Sequence, residues 1–562
     1  MKNIIYYLII IIIALVGIKA LFHPGFYTSH DGRHQIVRLA HFHQGLIDGQ
    51  MPVRWAGTAL NGFGYPLFIF TYRLPFWIAE FWYILNKNLV DAIKFSFIIT
   101  YVFSGVTMFL LAKEVWESKL AGFVSAVLYL WAPYRFVNIF VRAALGEAVT
   151  FTFLPLLFLG ILFLSKKKTR IGIFLTCLSL SAVMLSHAMT LVLWILPLIL
   201  WLTLNFLLAL NKKAYLVETA ISFIWSALLT TYYWLPATWE KKHTIFSSLM
   251  GDYYKDHFLS LKQLIYSKWG YGFSMAGVEN DAMSFQVGIA QWLVVFLVVL
   301  YILIVLFKPL KLNSLFTKIN RLRLYYMIFL LLVLTLSIYL MMPQAEWFYE
   351  WIKKLMIIDI PWRFLGVSVF SISLLSGALI VVLKNLKIKL LLLFFIISLS
   401  FYGNRNHLNV NQYTYYPDRE YWQDQETTNE HNDYTPKEFL NHLDENGNYQ
   451  LLTIEGKSLN KILVKKSNYL RFYSEVSSAK VKILTRIADY PGWQLFIDGK
   501  KEKISFKDGK ISIVLSKGNH LITLIFRETN LRQFSDWLSL ISLLLFIVYY
   551  IKDVKKIIYS KT

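Results

Sequence analysis

Charged residues are scarce in this chain of 562 residues. Asp, Glu, Lys and Arg together make up 16% of the sequence, whereas hydrophobic residues make up 56% and aromatic residues 17%. A soluble chain of this length needs more charge to cover its surface. The composition therefore excludes a soluble globular protein and favours a polytopic membrane protein.

Cysteine occurs once, at Cys177, inside an apolar segment. One thiol can form neither a disulfide within the chain nor a cysteine zinc site. The sequence also shows no Gly-rich nucleotide loop and no internal repeat. We therefore expect no nucleotide cofactor, and we expect no transporter built from repeated halves.

Acidic residues are outnumbered, with 34 Asp and Glu against 57 Lys and Arg, which gives a formal net charge of +23. Most of the basic residues lie in short loops between apolar stretches, as the cytoplasmic loops of membrane proteins do. This distribution explains the net charge by membrane topology. We therefore expect a lipid bilayer, and not nucleic acid, as the partner of the chain.

The apolar stretches predict about twelve membrane spans. The first, Ile4–Leu21, is long enough to cross a hydrocarbon core of ~30 Å and is followed by no small-residue cleavage site, so we expect a retained anchor. The other spans are predicted at Val90–Ala112, Leu120–Ala132, Ala148–Leu164, Ile171–Ser186, Met189–Leu208, Leu216–Leu235, Phe285–Phe307, Leu324–Met342, Phe364–Leu383, Leu390–Tyr402 and Trp537–Ile551.

The alternation of basic loops predicts that both termini are cytoplasmic and that the active face is extracytoplasmic. We expect a multi-span domain over 1–402 whose first external loop is 23–89, and an external linker over 403–460. Short β-type runs between turn residues predict a small antiparallel β-sandwich over 461–530, with separate strands at Lys480–Ile487 and Lys510–Leu515 among others. The final span and a basic tail occupy 535–562.

Asp31 is the most informative polar residue of the first external loop. If a helix begins near it, then Asp31, His34, Arg38 and His41 share one face at spacings of three and four residues. We expect this face to point into a cavity between the spans, with Asp31 as a general base and His30, His34 and Arg38 as substrate-binding residues. The alternative interpretation is that Asp31 only caps the helix.

Further polar residues lie at the outer ends of predicted spans, where charge is costly unless it is paired or serves a polar site. Arg142, His187 and Arg363 are candidates for substrate binding, together with Arg54 in the first loop, and Glu147 is a candidate second acid. A set of cations on one membrane face suits a phosphate group. The alternatives are an Arg142–Glu147 ion pair that only closes a loop and an Arg363 that reaches for lipid headgroups.

Two stretches carry a resemblance to known families. Asp31-Gly32, Gly49-Gln50-Met51-Pro52-Val53-Arg54-Trp55 and Pro361-Trp362-Arg363-Phe364 resemble bacterial membrane proteins catalogued as 6-pyruvoyl-tetrahydropterin-synthase-related. Tyr490-Pro491-Gly492-Trp493 is similar to the end of YfhO-like proteins. Both groups resemble members of the C-type glycosyltransferase superfamily. The chain offers no zinc–histidine site on a soluble fold, so we discard a pterin synthase activity.

The resemblance implies a multi-span enzyme that uses a polyprenyl-phosphate-linked sugar and an acidic residue in the first external loop. Our hypothesis is inverting sugar transfer to a cell-envelope acceptor, with Asp31 as the base. A divalent metal ion bound through Asp31 is compatible with this hypothesis, as is a mechanism without metal. The alternatives are a transporter or flippase for lipid-linked sugars and a non-catalytic scaffold for envelope assembly.

The predicted topology is testable by cysteine labelling once Cys177 has been replaced. We expect a membrane-impermeant reagent added outside the cell to label Asn460→Cys and to leave Lys168→Cys unlabelled, because basic loops stay in the cytoplasm. The opposite pattern would overturn the orientation.

Overall fold

The computed structural model describes residues 4–246, 252–277, 281–307, 321–353, 358–429, 432–442 and 449–559. The predicted basic loop with Lys308, Lys311 and Lys318 lies outside the described residues. The described part of the chain is mostly helical and carries a β-sheet near its C-terminus.

The α-helices follow from long apolar runs with few Gly and Pro residues. In chain order they are α1 Ile4–Gly17, α2 Gly32–Ile47, α3 Leu67–Phe70, α4 Leu74–Asn86, α5 Leu89–Trp116, α6 Lys119–Leu130, α7 Pro133–Phe136, α8 Leu145–Ser165, α9 Thr169–Ser186, α10 Ala188–Leu208, α11 Lys212–Leu229, α12 Thr231–Glu240, α13 Leu261–Ile265, α14 Ile289–Phe307, α15 Arg321–Leu340, α16 Glu346–Ile352, α17 Leu365–Val382, α18 Leu386–Asn404, α19 Asp418–Gln423 and α20 Asn530–Tyr559.

Eight helical segments of the described chain are long and apolar enough to cross a membrane, or up to ten if each of two bent pairs counts as one span. Every predicted span overlaps a helix. However, α1 has 14 residues rather than the 18 predicted, and the apolar part of the helix that begins at Ile289 is also short. The chain is therefore a candidate multi-pass membrane protein, while the total of twelve spans stays a prediction.

One bent pair lies beside the candidate site. Helix α6 and the segment Pro133–Val141 meet at an angle of 49°. Pro133 starts the second helix, where a missing N–H costs nothing, and Val137–Val141 continues it as a single wider π-turn. Such breaks place polar residues inside an otherwise apolar region.

The C-terminal strands form one antiparallel sheet of seven strands. Their bounds are β3 Leu451–Glu455, β4 Ser458–Lys466, β5 Tyr469–Ala488, β6 Trp493–Ile497, β7 Lys500–Glu502, β8 Ser505–Lys507 and β9 Lys510–Phe526, after a short pair β1 Phe26–Tyr27 and β2 Tyr413–Thr414. The order is β3-β5-β9-β6-β7, with β4 on β5 and β8 on β9. The two stacked sheets of a sandwich stay a prediction.

Two strand boundaries predicted from turn residues are wrong. The chain runs through Ser477-Ser478-Ala479 within β5 and through Lys517-Gly518-Asn519 within β9. These stretches face each other, and the pairing register shifts between Val476 and Lys480. Gly518 has a φ of +136°, which only glycine adopts readily. Turn residues here form a bulge that bends two long strands.

The sheet packs on the first external loop. The amide of Ala488 donates to the Phe63 carbonyl at 2.8 Å, and the amide of Ser467 donates to Asp48 Oδ2 at 2.7 Å. The ring of Trp55 stacks on Phe526 with centroids 5.2 Å apart. The segment 403–440 was predicted as an irregular linker or as a loop packed on the membrane domain. Within the described residues it is packed, with β2 paired to β1.

Buried ion pairs connect α20 to the rest of the protein. Arg532 is fully buried and donates to both carboxylate oxygens of Glu240, through Nε at 2.8 Å and Nη2 at 2.6 Å. Arg532 Nη2 also donates to the Pro491 carbonyl of the sheet at 2.9 Å. One guanidinium therefore joins α12, α20 and the sheet.

We expect Arg532→Met to destabilise the protein strongly, because it leaves the buried Glu240 carboxylate without its cation. Breaking a buried pair from one side costs roughly 3–5 kcal/mol. The melting temperature in detergent, followed by tryptophan fluorescence, measures the effect. Arg527→Met is the matched control, since Arg527 is exposed and makes no ion pair within the described residues. Equal melting temperatures for the two variants would contradict this assignment.

Candidate functional site

Asp31 stands at the N-cap position of α2, but its side chain makes no capping hydrogen bond. Its backbone N–H donates to the Arg142 carbonyl at 2.9 Å, and the N–H of His30 donates to the Val141 carbonyl at 3.0 Å. These two bonds fix the start of α2 against the helix break. In the described structure the half-buried Asp31 carboxylate has no hydrogen bond or ion pair, so it remains available to a ligand.

Arg142 and Glu147 form a buried ion pair. Arg142 Nη1 lies 2.8 Å from Glu147 Oε2, and the Tyr134 hydroxyl donates to Glu147 Oε1 at 2.6 Å. The guanidinium also stacks over the Trp362 ring, with Cζ 4.7 Å from its centroid. The Arg142–Glu147 ion pair, which the sequence suggested as one alternative, is thus present. Since both Glu147 oxygens are engaged, Glu147 orients Arg142 and does not serve as a free acid.

Arg363 lies beside this pair at the end of the short helix Pro361–Phe364. Its Nη1 contacts both oxygens of Asp359 at 2.9 and 2.8 Å. Its Nε is buried and has no hydrogen-bond partner among the described residues. A buried N–H donor without a partner is costly, and an anionic ligand would satisfy it.

His187 fills the break between α9 and α10. Its Nδ1 accepts the Thr190 amide at 3.2 Å, so in the neutral ring the proton is on Nε2. Burial, followed by the charge of Arg363, lowers the pKa of His187 to about 4. The imidazole is therefore a neutral donor at neutral pH.

The start of α8 adds a further positive element. Ala144 at its N-cap makes no side-chain cap, and the preceding Ala143 has a φ of +50°, which is strained for a residue with a β-carbon. Gly146 lies in the first turn against Tyr72 and the Ser186 carbonyl, where a β-carbon would come within 2.5 Å of that oxygen. The N–H groups of a helix start attract anions, although the first turn of α8 is buried and the Gly146 amide already bonds to the Tyr72 hydroxyl.

Electrostatic interactions show that these groups share one location. The charge of Asp31 acts on Arg142 and on the Tyr72 hydroxyl, and the charges of Glu147 and Arg363 act on His187. We define the cationic cluster as the guanidinium groups of Arg142 and Arg363, the neutral donor His187 and the first turn of α8, with the carboxylate of Asp31 at its edge; Glu147 and Asp359 pair with the two arginines, so the name refers to the donor groups and not to a net charge. Such a cluster can hold a phosphate and leaves one carboxylate for proton transfer.

The residues present do not fit a metal centre. Within the described parts of the chain, no group of three or more His, Cys, Asp or Glu side chains is placed to hold a metal ion. Asp31 would be the one carboxylate ligand, because both oxygens of Glu147 are bound to protein groups. We therefore derive no step through a metal.

The structure does not bring every predicted residue into the cluster. His30 Nε2 lies 3.0 Å from the Gly272 carbonyl, and its ring stacks on Phe273. Burial, then the charge of Arg142, lowers the pKa of His30. His30 therefore packs the start of α2 against the segment 270–273, beside the cluster.

His34 and Arg38 face the linker rather than the helical bundle. His34 Nε2 is 4.0 Å from Glu426 Oε2, and Arg38 donates through Nε to Thr428 Oγ1 at 2.9 Å. The polar face of α2 is thus covered by a segment almost 400 residues further along the chain. The expectation that this face opens between the spans is wrong for Arg38, because its guanidinium is used to hold the linker.

Arg54 lies away from the cluster. It is fully buried and contacts Glu528 through Nε at 3.2 Å, the Tyr232 carbonyl through Nη1 at 2.8 Å and Asp536 through Nη2 at 2.5 Å. All three guanidinium nitrogens have protein partners. Arg54 therefore connects the first loop to α20, and three of its five N–H donors are bound to protein groups.

Sequence reasoning left out Tyr72, Tyr134 and Asp359. Asp359 precedes Arg363 by four residues, a spacing that indicates an ion pair on a helical turn and that could have identified it. Nothing in the spacing of Tyr72 or Tyr134 distinguishes them from the many other tyrosines of the chain. Their roles follow only from contacts across the helix break.

The fold defines a mostly helical, candidate multi-pass membrane protein with a C-terminal sheet. The comparisons with known proteins do not narrow this class. The search against protein families finds none that matches. An uncharacterized protein of Lactococcus lactis subsp. cremoris (strain MG1363) is 24% identical over 196 residues, which are 34% of this chain and 31% of that protein. The match spans about a third of that relative's length.

The depressed pKa of His187 predicts that the protein loses stability in acid. Between pH 6.5 and 4 the unfolded chain binds a proton on this histidine that the folded chain excludes, so stability falls as the pH falls. At pH 5 the loss is on the order of 2 kcal/mol. His187→Asn keeps an acceptor for the Thr190 amide and removes the titration. Melting temperatures measured from pH 7 to 4.5 should vary less in this variant; an unchanged pH dependence would contradict the assignment.

Proposed function

We propose that the chain is a membrane glycosyltransferase that moves a sugar from a polyprenyl-phosphate-linked donor to a cell-envelope acceptor. The observation that carries this proposal is the unpaired carboxylate of Asp31 at the edge of the cationic cluster. Sugar transfer from a lipid phosphate needs one base and one cationic phosphate site side by side. The reaction would take place at the extracytoplasmic face of a bacterial plasma membrane, the face on which we place residues 23–89.

The chemistry assigns one step to each part of the site. The acceptor hydroxyl gives its proton to the Asp31 carboxylate while its oxygen forms a bond to the anomeric carbon from the face opposite the phosphate. The bond between that carbon and the phosphate oxygen breaks, and its electron pair leaves with the lipid phosphate. Arg142, Arg363 Nε and His187 Nε2 stabilise the charge that develops there. Attack from the opposite face inverts the anomeric configuration.

The resemblance to 6-pyruvoyl-tetrahydropterin-synthase-related and YfhO-like membrane proteins supports the choice of donor. The C-type glycosyltransferases that these groups resemble take sugars from polyprenyl phosphates. We also propose that the full fold is the arrangement of about twelve spans that the apolar stretches predict, with the external β-sandwich that the short β-type runs predict. A lipid-borne donor accords with a chain that lacks a Gly-rich nucleotide loop.

One observation favours the alternative of a transporter or flippase for lipid-linked sugars. Arg135 is buried in the helix break among Phe151, Tyr101 and Tyr129, and two of its nitrogens have no hydrogen-bond partner among the described residues. Both polar atoms of the buried Asn138 are likewise without one. Unsatisfied polar groups inside an apolar domain are a feature of polar pathways.

Replacement of Asp31 separates the two functions. We expect Asp31→Asn to lower sugar transfer by about 10²–10⁴-fold, because an amide cannot accept the proton. The assay is transfer from a panel of polyprenyl-phosphate sugars by purified protein in liposomes. Asp508→Asn, in the exposed turn between β8 and β9, is the matched control and should retain wild-type activity. Near-normal transfer by Asp31→Asn, at matched yield and elution volume, would remove the enzymatic proposal.

Arg363→Lys tests the phosphate site. The lysine keeps the charge but carries a single nitrogen at the end of its side chain, so it cannot hold Asp359 and also place a donor at the former position of Nε. We expect a raised KM for the lipid-phosphate donor and a reduced kcat in the same liposome assay. Unchanged kinetic constants would show that Arg363 only pairs with Asp359.

A further inference from the structure

A cavity lies between α2 and the linker that covers it. Its volume is about 230 Å³. Pockets that bury drug-sized ligands measure roughly 300–1,000 Å³, so this cavity suits a single ring rather than a chain of rings. It is distinct from the cationic cluster, because none of the cluster's arginines lines it.

The lining is polar and nearly neutral. Hydroxyl and amide side chains contribute most of it, from Asn61, Gln425, Thr427, Thr428, Asn429 and Asn432. His34 and Glu426 complete the polar wall; Glu426 is the one acidic side chain among the described lining residues, and no Lys or Arg is among them. Burial, then the charge of Arg38, lowers the pKa of His34, so its ring is neutral and can both donate and accept. Groups of this kind match sugar hydroxyls better than phosphate oxygens.

The wall is held in place from behind. Arg38 donates to the Thr428 hydroxyl at 2.9 Å and to Asn429 Oδ1 at 2.7 Å. Asn429 Nδ2 in turn donates to the Tyr65 hydroxyl at 3.3 Å. The buried guanidinium thus fixes the linker, and the cavity is preformed rather than assembled by a ligand.

Backbone strain concentrates around this cavity. Leu60, Asn61, Thr428 and Asn432 have φ values of 56°, 52°, 62° and 51°, in the left-handed region that residues with a β-carbon avoid. Ten such residues occur in the described chain, and four of them line this one small cavity. Strained residues cluster where a ligand site requires a particular backbone.

The cavity also adjoins the proposed base. His34 follows Asp31 by one turn of α2, so the two side chains lie on the same face, and the charge of Asp31 acts on His34. Asp31 does not itself line the cavity, but its charge acts on Arg142 of the cationic cluster and on His34 of the cavity wall. An inverting transferase needs the anomeric carbon between the leaving phosphate and the attacking hydroxyl, with the base beside that hydroxyl.

We infer that the cavity lined by His34, Asn61 and the linker residues 425–429 and 432 binds one neutral sugar ring, that of the acceptor. The assignment of this sugar to the acceptor rests on the proposed function. It deepens that function by naming the class of acceptor substrate. The ring's hydroxyls bond to the amide and hydroxyl side chains, and one hydroxyl reaches the Asp31 carboxylate.

Saturation-transfer NMR on the full chain in nanodiscs tests this inference, with the methyl glycosides of glucose, mannose and N-acetylglucosamine as probes. We expect at least one glycoside to bind the wild type. Gln425→Ala should weaken its binding about tenfold through the loss of a hydrogen bond, and His34→Ala should do the same. Gln423→Ala is the matched control, because Gln423 is exposed at the end of α19 and does not line the cavity. It should bind as the wild type does.

Failure of all three glycosides to bind would overturn the inference, as would equal binding by all variants. Displacement of the glycoside by inorganic phosphate would show an anion site and overturn it too. Asp31→Asn separates the inference from the proposed function. If this variant binds glycoside and the wild type transfers no sugar, the proposed function is contradicted, whereas the assignment of the cavity as a sugar site is supported. If the wild type transfers sugar and the cavity variants transfer and bind normally, the assignment of the cavity is contradicted and the proposed function is not.

Discussion

The ion pair between Arg142 and Glu147 is the interaction on which the candidate site depends. Both side chains are buried among apolar helices, where an isolated charge would be costly. The pair is completed by the Tyr134 hydroxyl and by the Trp362 ring over the guanidinium. Because Glu147 is fully engaged, the carboxylate of Asp31 is the acid left for a substrate. Because Arg142 is fixed, its carbonyl offers a stable anchor for the Asp31 amide.

A second constraint is that the segment 23–89 is held by elements that come much later in the chain. Arg54 donates a hydrogen bond to Asp536 in α20, the amide of Ser467 donates one to Asp48, and Arg38 donates one to Thr428. The sheet and the linker therefore act as a cover that keeps α2 in position. A loop with such partners loses less conformational freedom when a substrate binds, which favours catalysis by positioning.

The sequence predicted the apolar helices well, because hydrophobic runs of span length are a local and strong signal. It also indicated the residues at their ends that could matter, among them Asp31, Arg142, Glu147, His187 and Arg363. It could not decide between a helix cap and a free carboxylate for Asp31, since both have the same local pattern. It separated strands at 477–479 and at 517–519, where a bulge bends two long strands, because a bulge and a turn use the same residue types.

By itself the sequence determined which segments are apolar enough to cross a membrane and which charges stand at their ends. These properties depend on residues close together in the chain. Only the tertiary structure decided which charges neutralise one another and which stay available. Arg38 and Arg54 are engaged by residues almost 400 and more than 470 positions away, and Asp31 is left unpaired although it stands at a helix start. The physical reason is that a buried charge takes whichever partner the fold brings within hydrogen-bond distance, and spacing along the chain carries no record of that choice.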